Sequence, residues 1–212
     1  MKDDKLGIVD YLPGDFSSTN EADYVAFWEG VVVQGIESGN YHVAFLGHHM
    51  LFMVAVEYLA LRLSRYYPRE YRASLAHLVR REDRAALSLP SSPFSFSIVN
   101  ERTIFTLFEI TGVKGDTIKS ARGMVDDRNN AIHANGLIFF SEDFSGLQRM
   151  MSSHEGLLSQ LLASFHDKTT EIILSQLSGG AEEDRVSVIA ELGRKEYVTS
   201  VELRAIAGIE PE

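Results

Sequence analysis

The chain has 212 residues, no cysteine and a formal net charge of −10 at neutral pH, and its apolar fraction of 45% is that of an ordinary globular protein. Without cysteine, disulfide bonds and thiolate metal ligands are excluded. The negative charge argues against attraction of the whole surface to nucleic acid, but it leaves room for a local basic patch. Residues 1–20 lack the basic-then-apolar order of a signal peptide, so we expect a cytoplasmic protein.

The first part of the chain contains one helix that is far more apolar than the rest. Residues 1–20 are rich in turn-forming residues and predict an arm without regular structure, and residues 21–37 have the apolar spacing of an amphipathic helix. Residues 41–67 begin with about sixteen uncharged positions, which is short of the roughly twenty residues needed to cross a bilayer. Glu57 follows directly. We therefore predict a central helix of a bundle, ended by Pro68, and no membrane span.

The later segments also have helical periodicity. Residues 88–97, with two prolines among serines, predict a loop. We expect the longest of the later helical patterns to break at Ser152 and Ser153. The pattern as a whole predicts an all-α fold. The later helical patterns cover residues 69–87, 98–110, 116–136, 147–177, 182–192 and 199–207.

The segment 116–136 holds the candidate site. Asp116 is the predicted N-cap and Asn135-Gly136 the predicted end of its helix. Arg128 lies within the apolar stripe of this helix, so it needs an acceptor, which is either a neighbouring acid or a bound phosphate. Asn129 and His133 lie on the flank of the same face. The stripe consists of Ala121, Met124, Val125, Ala131 and Ile132.

A purely structural role for these residues is the competing interpretation. Under it, Arg128 pairs with a buried acid. Glu57 is the first candidate for that acid, because a carboxylate in so apolar a helix also needs a counterion. The adjacent His48 and His49 suggest a metal site, but neighbouring residues on a helix point about 100° apart. We predict no metal there and expect one histidine to face a groove while the other packs.

A basic interval is the second candidate surface. Tyr71 lies among its arginines, and positive charge beside aromatic rings is typical of single-stranded RNA binding. We take Arg80, Arg81, Arg84 and Tyr71 as RNA-binding candidates. A solvated face with extended arginine stems is the favoured alternative. The interval holds seven of the twenty Lys and Arg residues: Arg62, Arg65, Arg69, Arg72, Arg80, Arg81 and Arg84.

The sequence from Arg128 to His133 reads R-x4-H with a polar residue, Asn129, directly after the arginine. This resembles the signature of the HEPN superfamily, whose active members are all-helical, metal-independent ribonucleases. The resemblance implies a HEPN-type bundle over residues 21–177, preceded by an arm (1–20) and followed by a helical extension (178–212). It also implies that Arg128 and His133 are catalytic and Asn129 supporting, in a cleft between two protomers.

The resemblance has consequences for partners as well. It implies RNA as substrate, a homodimer, a cognate antitoxin or regulatory protein, and a role as a toxin or phage-defence effector. A subset of toxin members has a tyrosine two residues after the histidine, where this chain has Asn135. Control through modification of that tyrosine is therefore not expected.

The residues themselves support the same chemistry. RNA carries its own nucleophile, the 2′-hydroxyl, so a protein needs only a group that moves a proton and a cation that stabilises the phosphorane. Histidine and arginine suit these roles, which predicts 2′,3′-cyclic phosphate products and no cofactor or metal. Two alternatives stay open: an inactive HEPN-like module that binds RNA, nucleotide or a partner protein, and a plain helical interaction protein.

Overall fold

The computed structural model describes residues 6–133, 143–177 and 185–207. Within these ranges the protein is all-helical and contains no β-strand, which confirms the all-α prediction. Three short 3₁₀ helices, Gly7–Tyr11, Pro93–Ile98 and Leu107–Thr111, connect the longer elements. The α-helices are α1 (Thr19–Glu37), α2 (Tyr41–Tyr66), α3 (Pro68–Leu78), α4 (Arg84–Leu87), α5 (Glu101–Thr106), α6 (Gly115–Ile132), α7 (Phe144–Ala163), α8 (His166–Leu177), α9 (Arg185–Glu196) and α10 (Ser200–Ala207).

Helix α2 is the centre of the fold. It is 26 residues long, begins at the N-cap Asn40, whose side chain accepts a hydrogen bond from the Val43 amide at 3.3 Å, and packs against α1 and α7. By length and composition it could cross a membrane, but 78% of its most apolar window is buried inside the protein. A helix covered by its neighbours to this extent has the character of a core helix.

Helices α1 and α2 approach each other closely at Gly35. Ser18 caps α1 by accepting a hydrogen bond from the Glu21 amide, and the helix then runs antiparallel into the short turn before α2. A Cβ atom placed on Gly35 would lie only 2.8 Å from the backbone nitrogen of Ala44. The crossing therefore depends on the absence of a side chain at this position.

We expect Gly35→Ala to lower the free energy of unfolding by about 1–3 kcal/mol, because the added methyl group forces the two helices apart. Gly30, on the same helix, is the matched control, since a Cβ there meets nothing within 4 Å. Gly30→Ala should raise stability by up to about 1 kcal/mol through helix propensity. Urea titrations followed by circular dichroism measure both, and equal effects of the two substitutions would contradict the close crossing.

Several boundaries differ from the sequence-based expectations. The N-terminal segment is no loose arm, since Ile8 and Leu12 are wholly buried in the same core as α2. Pro68 occupies the first turn of α3, where its missing N–H leaves no intrahelical hydrogen bond unmade. The break in the long C-terminal pattern lies at Ser164 instead of Ser152–Ser153: α7 ends at Ala163, and the Ser164 backbone amide donates to the Leu161 carbonyl at 3.1 Å in a tightened last turn.

A buried ion pair ties the C-terminal helices to α2. Arg62, which the sequence placed in the basic surface, has no exposed side-chain area and donates to both carboxylate oxygens of Glu202, at 2.7 and 2.8 Å. Thr169 also accepts from this guanidinium, at 2.6 Å. Burial disfavours the charged forms of Arg62 and Glu202, but the attraction between the two charges outweighs it. The pKa of Arg62 is therefore raised and the pKa of Glu202 is lowered.

Candidate functional site

The helix that carries the R-x4-H sequence is α6, Gly115–Ile132. Its N-cap lies two residues earlier than expected: Lys114 is the N-cap in place of Asp116, and Asp116 lies in the first turn, where a carboxylate interacts favourably with the helix dipole. Asn135 and Gly136, the predicted end of the helix, lie outside the described residues. Ile118 joins the buried stripe that the sequence predicted, whereas Ile132 is 53% exposed and does not belong to it.

Arg128 forms an ion pair with Glu101, at the start of α5, so the predicted pairing with Glu57 is wrong. One terminal nitrogen of the guanidinium donates to a Glu101 oxygen, while the buried Nε has no partner in the described part of the chain. Burial raises the pKa of Glu101, but His49 and Arg128 outweigh it and the net shift is downward. Glu101 therefore stays ionised and orients Arg128 without using all of its donors.

Glu57 is left without a counterion. It makes no hydrogen bond or ion pair with the residues that the structure describes, and it lies on the face of α2 that points towards Arg128 and Glu101. Burial, followed by repulsion from Glu101, raises the pKa of Glu57 to about 8. At neutral pH this carboxyl group is therefore mostly protonated, which removes the charge that a salt bridge to Arg128 would require.

A cavity of about 450 Å³ joins these residues to solvent. Its volume is in the range typical of small-ligand pockets, roughly 300–1,000 Å³. Its lining includes both aromatic or apolar side chains and polar ones, so the cavity offers apolar surface and hydrogen-bonding groups. It is lined by Tyr24, Met50, Glu57, Phe94, Phe96, Ser97, Val99, Asn100, Glu101, Val125, Arg128 and Asn129.

The three residues taken from the R-x4-H sequence occupy two environments. Arg128 and Asn129 line the cavity, whereas His133 is not part of its described lining. His133 is the exposed C-cap of α6 with extended backbone angles (φ −70°, ψ 140°), and its amide donates to the Asn129 carbonyl at 3.0 Å. The structure thus places the arginine and the amide at a concave surface and the histidine immediately past the end of their helix.

A cluster of three buried imidazoles lies behind this site. His48 and His49 of α2 and His154 of α7 have no exposed area, so the expectation that one histidine faces a groove is wrong. The Nδ1 atoms of His48 and His154 are 3.0 Å apart, and His154 stacks on Phe52 with ring centroids 4.4 Å apart. His154 lies on the apolar face of α7 between Leu147 and Leu158, and this spacing is the sequence pattern that indicates its burial. Within the described ranges no group of three or more His, Asp or Glu residues is arranged to hold a metal ion.

The imidazole cluster predicts loss of stability in acid. Burial, followed by repulsion from His49, lowers the pKa of His48 from 6.5 to about 3, and burial also lowers the pKa of His154. Below about pH 6.5 the unfolded chain binds protons at these rings that the folded chain does not, so stability falls as the pH falls from there towards 3. The slope is about 1.4 kcal/mol per pH unit for each such ring.

Urea titrations at pH 7.5, 6.0 and 5.0 measure this slope. We expect His48→Gln to reduce it, and the same substitution at His77, which is exposed at the end of α3, to leave it unchanged. Glu57 acts in the opposite direction, because its raised pKa lets the folded chain keep a proton that the unfolded chain releases between about pH 8 and 4.5. Equal slopes in the wild type and in His48→Gln would therefore contradict burial of a neutral imidazole at His48.

Two of the four proposed RNA-binding residues, Tyr71 and Arg84, make their contacts within the protein. Tyr71 is wholly buried and its hydroxyl donates to the Leu87 carbonyl at 2.9 Å, so its ring is not available to stack on a base. The Arg84 guanidinium caps the end of α3 by donating to the carbonyls of Val79 at 3.0 Å and Ala76 at 2.5 Å. Arg80 and Arg81 are exposed, and they remain the candidates of this interval for phosphate contacts.

A scan of protein-family models, a search of curated proteins and a search of solved structures each find no match to this sequence. The fold and the site define the protein, over its described residues, as an all-helical protein with an arginine-containing cavity between α1, α2, α5 and α6. Its function is therefore argued from the chemistry of that cavity and of the residues at the end of α6.

Proposed function

We propose that this protein is a metal-independent endoribonuclease of HEPN type, in which Arg128 and His133 carry out cleavage by the RNA 2′-hydroxyl and Asn129 supports them. The proposal rests on the guanidinium of Arg128, which lines an open cavity. Glu101 holds it in place and accepts a hydrogen bond from only one of its nitrogens. An imidazole follows directly after the same helix. These are the two groups that cleavage without a metal requires.

Arg128 stabilises the charge of the pentacoordinate phosphate. A guanidinium has five N–H donors, and among the described residues Glu101 accepts from one terminal nitrogen, which leaves terminal donors for phosphate oxygens, whereas the Nε is buried. Because Glu101 fixes the arginine before substrate binds, less side-chain entropy is lost on binding. Glu101 is thus a positioning residue in this proposal.

His133 moves the proton. An imidazole donates or accepts at neutral pH, and its position at the exposed end of α6 gives a substrate access to it. Asn129 occupies the same helical turn as Arg128 and presents an amide to the same cavity. RNA bound with its scissile phosphate between Arg128 and His133 would leave a 2′,3′-cyclic phosphate.

A second copy of the chain completes the proposal, because one histidine supplies only one acid or base. Apolar surface is available near the end of α6: Ile132 is 53% exposed, and Phe144, which packs on Tyr41, is 40% exposed. A second copy of the chain packed at this end of α6 would bury both side chains. We propose a cytoplasmic homodimer that acts as a toxin or phage-defence effector under control of an antitoxin or regulatory protein.

A second function is favoured by one observation. Glu101 already neutralises Arg128, and such a pair lowers the attraction of the arginine for a phosphate. An inactive HEPN-like module that binds RNA, nucleotide or a partner protein through the cavity is therefore the alternative. It predicts binding without turnover.

Cleavage of RNA in excess EDTA tests the proposal. We expect the purified wild-type protein to cleave, and Arg128→Lys to lower the rate by about 10²-fold or more, because a lysine cannot make the paired contacts of a guanidinium. Arg122→Lys on the same helix is the matched control, since Arg122 bonds to the Arg102 carbonyl and to Thr106 and does not line the cavity. An unchanged rate in Arg128→Lys would contradict the assignment, and binding without cleavage by the wild type would favour the alternative.

A further inference from the structure

The cavity beside Arg128 is also lined by aromatic side chains. Tyr24 of α1 and Phe94 of the 3₁₀ helix Pro93–Ile98 are both part of its lining, and their rings meet edge to face with centroids 5.0 Å apart. Met50, Val99 and Val125 complete an apolar surface. A phosphate group alone has no use for such a surface, whereas a flat heteroaromatic ring gains from contact with it.

Glu57 is one of the polar residues of this lining. It is half-buried, and its carboxyl group makes no hydrogen bond to the described residues, so it can form one with a ligand in the cavity. A neutral carboxyl group offers one O–H donor and one carbonyl acceptor side by side. The edges of nucleobases present a donor next to an acceptor, which is the complementary arrangement.

We propose that this cavity is a nucleobase subsite, in which the ring of a nucleotide packs against Tyr24 and Phe94, Glu57 hydrogen-bonds to the base edge, and the attached phosphate reaches Arg128. The inference rests on the proposed function in one respect, since it seats the base of the nucleotide whose phosphate Arg128 contacts. Beyond the proposed function, the inference assigns nucleobases as the ligand class of this cavity and gives Glu57 a role in binding them.

The surroundings of Glu57 fix the direction of its pH dependence. The titratable groups that face it are Tyr24 from α1, Glu101 from α5 and Arg128 from α6, and the 3₁₀ helix Pro93–Ile98 contributes none. Glu101, nearby and ionised, disfavours a second negative charge, and with burial it accounts for the raised pKa of Glu57. The base is therefore bound by the protonated acid, and affinity falls as the pH rises through about 8.

Binding of two simple probes tests the subsite without requiring cleavage. Adenosine 5′-monophosphate carries both base and phosphate, and ribose 5-phosphate carries the phosphate alone. By isothermal titration calorimetry at pH 7 we expect the wild-type protein to bind the first about tenfold or more tightly than the second, the preference that about 1.4 kcal/mol from hydrogen bonds and ring contact provides. Arg128→Lys should weaken both probes.

Two substitutions of Glu57 separate its role from a general effect on the fold. Glu57→Ala should reduce the preference for the nucleotide to less than about threefold, whereas Glu57→Gln, whose amide also offers a donor and an acceptor, should retain it and abolish the decline above pH 8. Equal binding of the two probes by the wild type, or an affinity that rises with pH, would overturn the inference. A preference for the nucleotide in a protein that cleaves no RNA would uphold the subsite and reject the nuclease proposal.

Discussion

Replacing His133 with alanine is expected to lower the rate of RNA cleavage by about 10²–10⁴-fold, which is the range that a positioned acid or base contributes. The loss should appear in kcat more than in KM, because a proton is transferred only in the transition state. The fold should survive, since the side chain is exposed and α6 ends through the hydrogen bond from the backbone amide of residue 133 to Asn129. Single-turnover cleavage of a short RNA measures the effect.

His77 is the matched control for that experiment. It is also exposed and lies in the last turn of a helix, but on α3. We expect His77→Ala to cleave at the wild-type rate, and both variants to keep a free energy of unfolding within about 0.5 kcal/mol of the wild type, as is usual for surface substitutions. A His133→Ala protein that cleaves normally would remove His133 from the mechanism.

The largest effect on stability is expected at Glu202. Changing Glu202 to glutamine keeps the shape of the side chain but leaves the wholly buried Arg62 guanidinium without its counterion. Removing one partner of a buried pair costs about 3–5 kcal/mol, because the remaining charge is left uncompensated in a medium that solvates it poorly. Equilibrium unfolding in urea at pH 7 measures the loss.

Two further variants show that charge burial causes this loss. Glu171→Gln breaks the exposed pair with Lys168, in which Glu171 is 66% exposed, and should change stability by less than about 1 kcal/mol. Arg62→Met combined with Glu202→Gln removes both charges, keeps an oxygen acceptor for the Thr199 amide, and should regain much of what the single variant loses. A double variant as unstable as Glu202→Gln would contradict the role of the unpaired charge.

The helical architecture was predictable because apolar spacing is a local signal. Residues 21–37 and 41–67 carry it strongly, and α1 and α2 lie within two residues of those limits. The burial of Arg62 was not predictable, because the acid that neutralises it is 140 positions away in the sequence. The burial of Ile8 and Leu12 was not predictable either, because it depends on α7, which is distant in the sequence. The nearby Pro13 and Gly14 indicate a loop.

The sequence indicated where the candidate site lies, but it did not predict the partner of Arg128 or the cavity. The sequence placed Arg128 in an apolar stripe and required an acceptor for it, yet the choice between Glu57 and Glu101 depends on how α2 and α5 lie against α6. The cavity and its aromatic wall follow from the same packing, as Tyr24 and Phe94 are 70 positions apart and meet only in the fold. Tyr71 shows the converse, because an aromatic ring that lies among arginines in the sequence is buried in the hydrophobic core by the packing of α3.

The chemistry of the RNA ends tests the central claim most directly. Wild-type protein is incubated with a defined RNA in excess EDTA, and the fragments are analysed by mass spectrometry. Attack by the 2′-hydroxyl predicts 2′,3′-cyclic phosphate and 5′-hydroxyl ends, absent when Arg128 or His133 is replaced by alanine. Fragments with 3′-hydroxyl and 5′-phosphate ends, or intact RNA under these conditions, would contradict cleavage by these two residues.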